Sequence, residues 1–168
     1  MPERKTIERA RKDKRQGKAP TTQAGEFVRE EIEHVREGKH GARSAKQAIA
    51  IGLSKARRAG VDLPPPKKGE APEKTRRSAK RAYEAGHKGA KKTSTRRSRA
   101  VKKALKREGR SAASRRALAK QAHASATRRG RADRSAAARK AVKTKGAAAR
   151  SAAARKAART RARKRARH

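Results

Sequence analysis

Large apolar side chains are scarce in this chain and end early, which limits what it can fold into. Those up to residue 63 are Ile7, Phe27, Val28, Ile32, Val35, Ile49, Ile51, Leu53, Val61 and Leu63. Beyond them stand only Tyr83, Val101, Leu105, Leu118 and Val142. A chain with 40% charged and 1% aromatic residues buries too little apolar surface to offset the conformational entropy of folding. We therefore expect most of the C-terminal part to lack a packed core.

The C-terminal part repeats a block of small and basic residues. RSAAARKA occurs at 134–141 and again at 150–157, and RSAASRRA at 110–117 is a looser copy. Alanine, lysine and arginine are strong helix formers, whereas a glycine costs about 1 kcal/mol relative to alanine inside a helix. The two identical copies straddle Gly146, so we do not expect one continuous helical rod. In free solution, repulsion between like charges should keep these helices frayed.

The net charge of +40 is unevenly distributed. Residues 1–66 contain 16 Lys or Arg and nine acidic residues, a net charge of +7. Residues 67–168 contain 38 Lys or Arg and five acidic residues, a net charge of +33. Such a charge is self-repelling without a polyanion, and it matches the phosphates of roughly 16 base pairs of duplex DNA. Nucleic acid is therefore the expected partner.

Two amphipathic helices are predicted before residue 64. Val28, Ile32 and Val35 share one face of the first helix, with Thr22 as its predicted N-cap and Gly38 at its end. The second helix has a capping-box pair at Ser44 and Gln47, an apolar face, and a Schellman-type stop at Gly60. Gly52, beside that face, would let another backbone approach closely. The predicted hairpin core is Phe27, Val28, Ile32, Val35, Ile49, Leu53 and Ala56.

Four segments follow from these patterns. They are a charged N-terminal segment (1–20), a helical hairpin (21–63), a Pro-rich linker (64–74) and an Ala/Lys/Arg-rich tail (75–168). A hairpin of this size is marginal alone, so we expect it to self-associate or to dock on a partner. The prolines of the linker favour a semi-rigid spacer. The predicted fold class is all-α: a short N-terminal helical hairpin followed by a largely disordered or conditionally helical basic tail.

Catalytic and cofactor chemistry have little support in the sequence. No P-loop, dinucleotide fingerprint, zinc spacing or nucleophile elbow occurs, and the chain has no cysteine. Glu31 and His34 have the E-x-x-H spacing of di-iron bundles, but the second such pair is missing, so we interpret them as surface residues. GKHG at 38–41 is better explained as a turn than as a phosphate cradle. We expect no enzyme, no cofactor and no metal.

The basic tail carries the predicted nucleic-acid contacts. They are Arg96, Arg97, Arg99, Lys102, Lys103, Arg115, Arg116, Arg128, Arg129, Arg131, Arg134, Arg139, Lys140, Lys143, Lys145, Arg150, Arg155, Lys156, Arg159, Arg161, Arg163, Lys164, Arg165 and Arg167. With Phe27 and Tyr83 as the only aromatic residues, base-stacking platforms are absent, and we expect Tyr83 to make a small apolar contact. Contacts to phosphates, without base recognition, are the expected mode.

Two resemblances add to this interpretation. The tail, with its Ala/Lys/Arg blocks and sparse acidic residues, resembles the C-terminal tails of linker histones and of bacterial histone H1-like proteins. It lacks their regular Lys-Pro-Ala-Ala repeats and favours arginine. The stretch TQAGEFVREEIEHVREGKHGARSAKQAIAIGLSKARRAGV resembles a small uncharacterised domain of short basic bacterial proteins. Together the resemblances imply a bacterial, nucleoid-associated protein in the cytoplasm.

The leading hypothesis is a non-enzymatic, sequence-independent protein that binds and compacts double-stranded DNA, with the hairpin providing self-association. An RNA-binding or ribosome-associated protein is the alternative, because the same charge serves both. A third hypothesis makes the hairpin a docking module for a specific protein and the tail its tether. A membrane role is not expected, because the sequence contains neither a long apolar run nor a wide apolar helix face.

Overall fold

The chain is all-α in a computed structural model that describes residues 2–89 and 94–166. It divides into two compact units, Met1–Gln121 and Ala122–His168, which are described separately. The helices of the described residues are α1 (Arg4–Arg15), α2 (Pro20–Arg36), α3 (Ala45–Arg58), α4 (Glu73–His87), α5 (Thr95–Lys106), a 3₁₀ turn (Ser111–Ala113), α6 (Arg115–Arg128) and α7 (Arg131–Arg165).

The predicted fold class is therefore right in being all-α and wrong in its second half. The described part of the basic tail is not disordered but mainly helical, in α4, α5, α6 and α7. The physical reason is helix propensity: long runs of alanine, lysine and arginine favour the helix, and serine caps add to it. Ser94 and Ser114 accept hydrogen bonds from the backbone N–H groups of Arg97 (3.4 Å) and Ala117 (3.2 Å). Charge repulsion does not overcome these local preferences.

The predicted hairpin is present as α2 and α3, and most of its end signals are confirmed. Ser44 Oγ accepts a hydrogen bond from the Gln47 N–H (3.2 Å). Gly60 has a φ of 84°, and the N–H of Val61 donates to the carbonyl of Ala56 (3.1 Å), which completes a Schellman motif. Thr22 is not the N-cap: α2 begins at Pro20, where the fixed φ of proline suits the first helical position.

The hairpin core is built largely from alanine. Of the predicted core residues, Phe27, Val35 and Ala56 are buried, whereas Val28, Ile32, Ile49 and Leu53 are partly buried. One cluster surrounds Phe27 and the other surrounds Val35. Their other buried members are Ala10, Ala24 and Val61 in the first, and Ala42, Ala48, Ala112 and Ala113 in the second. Alanine serves here as a core residue. Its side chain is small, so helices that pack through it can approach each other closely.

Two other helices of the first unit pack against the hairpin. Helix α1 packs on α2, with Thr6 and Ala10 buried, and α4 packs on α3, with Ala79 and Ala82 buried. The linker before α4 is thus not a spacer that separates hairpin and tail, because α4 lies against α3. Tyr83 makes a polar contact rather than an apolar one. Its hydroxyl donates to Asp62 Oδ1 (2.6 Å), which raises the pKa of the phenol, and its ring stacks on His87.

The end of α5 and the segment after it pack on the connection between α2 and α3. The N–H of Gly41 donates to the carbonyl of Leu105 (2.8 Å), and the N–H of Ala42 donates to that of Gly109 (3.1 Å). A side chain at Gly41 would collide with the backbone of Glu108. GKHG is therefore a turn, as expected; Gly41 is buried against backbone, and its N–H is engaged within the protein.

At Gly52, α3 approaches the backbone of α2 closely, which confirms the prediction from its position. A Cβ at Gly52 would lie 2.7 Å from Val28 Cα and 3.0 Å from the carbonyl oxygen of Phe27. We expect Gly52→Ala to lower the free energy of unfolding by about 1–3 kcal/mol, because overpacking forces the backbones apart. Urea unfolding followed by circular dichroism measures this change.

Gly25→Ala in α2 is the matched control. Nothing lies within 4 Å of a Cβ built there, so alanine should stabilise the protein by about 0.5–1 kcal/mol through helix propensity alone. Equal stabilisation by the two substitutions would show that α2 and α3 are not packed at Gly52.

Candidate nucleic-acid interface

The predicted cations of α5 and α6 lie on the protein surface. Arg96, Arg97, Arg99, Lys102 and Lys103 of α5 are exposed, as are Arg115, Arg116 and Arg128 of α6 and Arg129 after it. Glu108 is the only acidic residue between Glu84 and Asp133 in the sequence, and it pairs with Arg43 (3.6 Å). These helices therefore present positive charge with little carboxylate nearby.

Helix α7 contains 14 Lys or Arg, more than any other helix of the described residues. Its exposed predicted contacts are Arg131, Arg134, Arg139, Lys140, Lys143, Arg150, Arg155, Lys156, Arg159, Arg161, Arg163 and Arg165. Lys145, Lys164 and Arg167 lie outside the described side chains. At 100° per residue, the cations after Gly146 point in all directions around the helix axis. This part of α7 is therefore positively charged on all sides and has no separate polar face.

Helix α7 is interrupted between the two copies of the repeat. Gly146 has φ 67° and ψ 169°, outside the helical region. The first copy of RSAAARKA lies before this break and the second after it. The prediction that the copies do not form one continuous rod is therefore confirmed.

Arg150 Nε donates to the carbonyl oxygen of Gly146 (3.3 Å), and Arg134 likewise has its guanidinium group engaged within the protein. Its Nη1 donates to the carbonyl oxygens of Arg129 (2.8 Å) and Ala126 (3.4 Å) at the C-terminal end of α6. Carbonyls at a helix C-terminus have no partner within the helix. Arg134 thus stabilises the end of α6.

Several basic residues of the first unit are also structural. Arg57 is buried and donates to the carbonyls of Leu63 (3.0 Å) and Pro64 (3.3 Å), and burial lowers the pKa of its guanidinium group. Arg36 Nε donates to the carbonyl of Ala113 (3.0 Å), and Lys18 pairs with Asp13 (2.6 Å). Basic residues therefore have two uses: Arg57, Arg36 and Lys18 take part in packing and pairing, whereas the described cations of α7 are exposed.

A buried polar cluster on α2 was missed by the sequence analysis. We call it the Glu31 cluster; its members are Glu3, Glu30, Glu31, His34, His40 and Lys55. Glu31 is not a surface residue, contrary to the interpretation from sequence, because its side chain is 0% exposed. The E-x-x-H spacing of Glu31 and His34 was the one signal for the cluster in the sequence.

Lys55 joins the two buried carboxylates of the cluster. Its Nζ lies 2.6 Å from Glu31 Oε2 and 3.3 Å from Glu30 Oε1, whose side chain is 3% exposed. On the other side, Glu3 Oε1 lies 2.9 Å from His34 Nε2 and 3.2 Å from Lys39 Nζ. The hydrogen bonds from His34 and Lys39 lower the pKa of Glu3. The cluster thus ties α1, α2 and α3 together through charged groups.

The comparison with protein families finds a match only for the N-terminal part of the chain. Residues 4–68 match DUF6496, a family of unknown function. This region contains α1, α2 and α3, so it covers the expected uncharacterised helical domain and extends it by α1. No curated protein and no solved structure matches the chain. Among the described residues, no helix is both long and apolar enough to cross a membrane.

Proposed function

We propose that this protein binds DNA without sequence preference and compacts it by neutralising and bridging phosphates, with no enzymatic activity. The observation that carries the proposal is the charge of the C-terminal helices. Residues 109–168 contain 21 Lys or Arg and one acidic residue, Asp133, and the described cations of α7 are exposed. Folding of the chain leaves this charge in solvent, so an external polyanion is needed to neutralise it.

The charge density of α7 suits a nucleic-acid backbone. Residues 147–165 form a helix of about 28 Å, at 1.5 Å per residue, and they include eight Lys or Arg. A 28 Å length of duplex DNA carries roughly 16 phosphate charges. One such helix can therefore neutralise about half of the charge on the DNA beside it, and several chains can coat a duplex.

The residue types of α7 favour phosphate contacts over base recognition. Adenine is read by Asn or Gln in paired hydrogen bonds, and the whole of α7 contains neither residue. The side chains between the cations are mainly alanine, too short to reach a base edge from outside the groove. Stacking on aromatic side chains is excluded in α7 because it contains none. These features support binding that does not depend on sequence.

Bridging requires that one protein molecule, or one oligomer of it, contact two DNA duplexes at once. Both compact units are basic: the first has 37 Lys or Arg and 13 acidic residues, and the second has 17 and one. Each unit can therefore contact its own duplex, which supports bridging by a single chain. Self-association through the hairpin, as first expected, would add a second route.

Sequence independence is tested with two duplexes of equal length, one AT-rich and one GC-rich, at the same ionic strength. We expect dissociation constants that agree within about threefold, because specific readout typically separates sites by 10³-fold or more. A preference above 100-fold for either duplex would contradict the proposal.

The RNA alternative is tested by adding a duplex RNA of the same sequence and length. The proposal expects DNA to bind at least as tightly as this RNA. A tenfold preference for RNA, or ribosome-bound protein that survives DNase treatment of a lysate, would replace DNA by RNA as the partner. Sequencing of nucleic acid crosslinked to the protein in its native cell then identifies the partner directly.

A further inference from the structure

Three side chains of the Glu31 cluster converge at the C-terminal end of α2. One ring nitrogen each of His34 and His40 and one carboxylate oxygen of Glu31 all lie within 4.8 Å of one another. Glu31 is fully buried, and the side chains of His34 and His40 are 13% and 17% exposed. We propose that Glu31, His34 and His40 bind a single Zn²⁺ ion that fixes the turn between α2 and α3.

The donor atoms and one of their distances suit zinc. Imidazole nitrogen and carboxylate oxygen are common zinc ligands, with bonds of about 2.0–2.2 Å, so two ligand atoms of a tetrahedral site lie about 3.3 Å apart. His40 Nε2 lies 3.2 Å from Glu31 Oε1, which already matches one edge of such a site. His34 supplies the third ligand after a small movement of its ring, and water completes the coordination.

Both histidines are oriented as metal ligands usually are. A histidine that binds a metal through one ring nitrogen donates a hydrogen bond from the other, to a carboxylate or a backbone carbonyl. His34 Nε2 lies 2.9 Å from Glu3 Oε1, and His40 Nδ1 lies 3.0 Å from the carbonyl oxygen of Gly41. Each ring therefore has a supporting acceptor on one of its two nitrogens, as a metal-binding histidine requires.

His40 faces an acceptor on each side, which either a second proton on the ring or a metal ion at one nitrogen satisfies. A neutral imidazole has one N–H, so it can donate to Gly41 or to Glu31 but not to both. When Nδ1 donates to Gly41, the lone pair of Nε2 points at the carboxylate of Glu31. Among the described residues, neither Glu31 oxygen accepts a well-directed hydrogen bond, although Oε2 is ion-paired with Lys55. An ion between Nε2 and Oε1 removes the conflict.

The charge of the cluster also favours a cation, despite the strongly basic chain. Glu3, Glu30 and Glu31 face two ammonium groups, those of Lys39 and Lys55, which leaves one negative charge when the histidines are neutral. A cavity of about 130 Å³ reaches the site only at His34; Glu3 and Glu30 also line it, together with Lys5, Arg9 and Lys39. The site thus meets the requirements of donor set and supporting hydrogen bonds that a metal site must have.

The test is a zinc titration of the tag-free, full-length protein after treatment with EDTA, with a chromogenic chelator as competitor. We expect one equivalent of Zn²⁺ to bind. At a free Zn²⁺ concentration 100 times the dissociation constant, the melting temperature should rise by about 10 °C. Glu3→Ala, which removes the acceptor behind His34, should weaken binding about 10–100-fold. No stoichiometric binding by the wild-type protein would overturn the proposal.

The ligands are identified by a matched pair of double variants. The double variant His34→Gln/His40→Gln should no longer bind one equivalent of Zn²⁺. The control variant His87→Gln/His123→Gln removes two exposed histidines and should still bind it. Equal binding by both would overturn the assignment. X-ray absorption of the wild-type zinc complex needs no substitution: scattering from two imidazoles is expected, and its absence would also overturn the assignment.

Discussion

Replacing the cations of α7 after Gly146 with glutamine is expected to weaken DNA binding by on the order of 10³-fold at 0.15 M salt. The described targets are Arg150, Arg155, Lys156, Arg159, Arg161, Arg163 and Arg165. Each cation that contacts a phosphate releases about one counterion, and this release supplies most of the affinity of non-specific binding. Glutamine has a helix propensity close to that of arginine and lysine, so α7 should stay helical. Fluorescence anisotropy with a labelled duplex measures the change.

The control places seven glutamines at neutral positions of the same helix. Suitable positions are Ala148, Ser151, Ala152, Ala153, Ala157, Ala158 and Ala162, all exposed. This variant keeps its charge and should bind DNA within about threefold of the wild type, because little but phosphate contact contributes. If both variants bind as tightly as the wild type, the second half of α7 is not a nucleic-acid surface.

Lys55→Met is expected to lower the free energy of unfolding by about 3–5 kcal/mol, because it leaves buried carboxylates without a counter-charge. Lys55 is within 3.3 Å of both Glu30 and Glu31, whose side chains are almost fully buried. Methionine keeps much of the volume of the lysine side chain and removes its charge. Urea unfolding in the presence of EDTA, followed by circular dichroism, isolates this effect from metal binding.

Lys46→Met provides the comparison on the same helix. Lys46 is exposed, and substitutions of exposed residues usually change stability by no more than about 0.5 kcal/mol. A Lys55→Met variant as stable as Lys46→Met would show that Lys55 does not hold the Glu31 cluster together.

The hairpin was predictable because its signals are local. Ser44 caps the helix that starts after it, Gly60 ends the same helix, and Gly52 marks a close backbone contact. Each of these roles depends on a residue type whose backbone preference or small size is visible in the sequence. The start of α2 was missed by three residues because Pro20 at the first helical position outweighed Thr22 as a cap.

The packing of the remaining helices was not predictable in the same way. Ala79, Ala82, Ala112 and Ala113 are buried, but alanine is equally common on an exposed helix such as α7. The sequence alone does not distinguish these two uses, because an alanine-rich helix shows little contrast between its faces. The same limitation led to the wrong expectation of a disordered tail, where helix propensity outweighed charge repulsion.

The Glu31 cluster was hidden for a different reason. Glu31 and His34 are neighbours on one helix face, but His40 comes from the following turn, Lys55 from α3 and Glu3 from the chain before α1. Only the packing of three segments brings these groups together. The predicted cations of α7, by contrast, needed no tertiary contact to be identified, since their exposure follows from composition.

The central claim is that exposed cations bind a polyanion by replacing its counterions, and the salt dependence of DNA binding tests it most directly. If ten phosphates are contacted, log K plotted against log salt concentration falls with a slope of about −9. The α7 glutamine variant should show a slope that is shallower by about 0.9 for each phosphate that it no longer binds. A wild-type slope near zero would contradict the account.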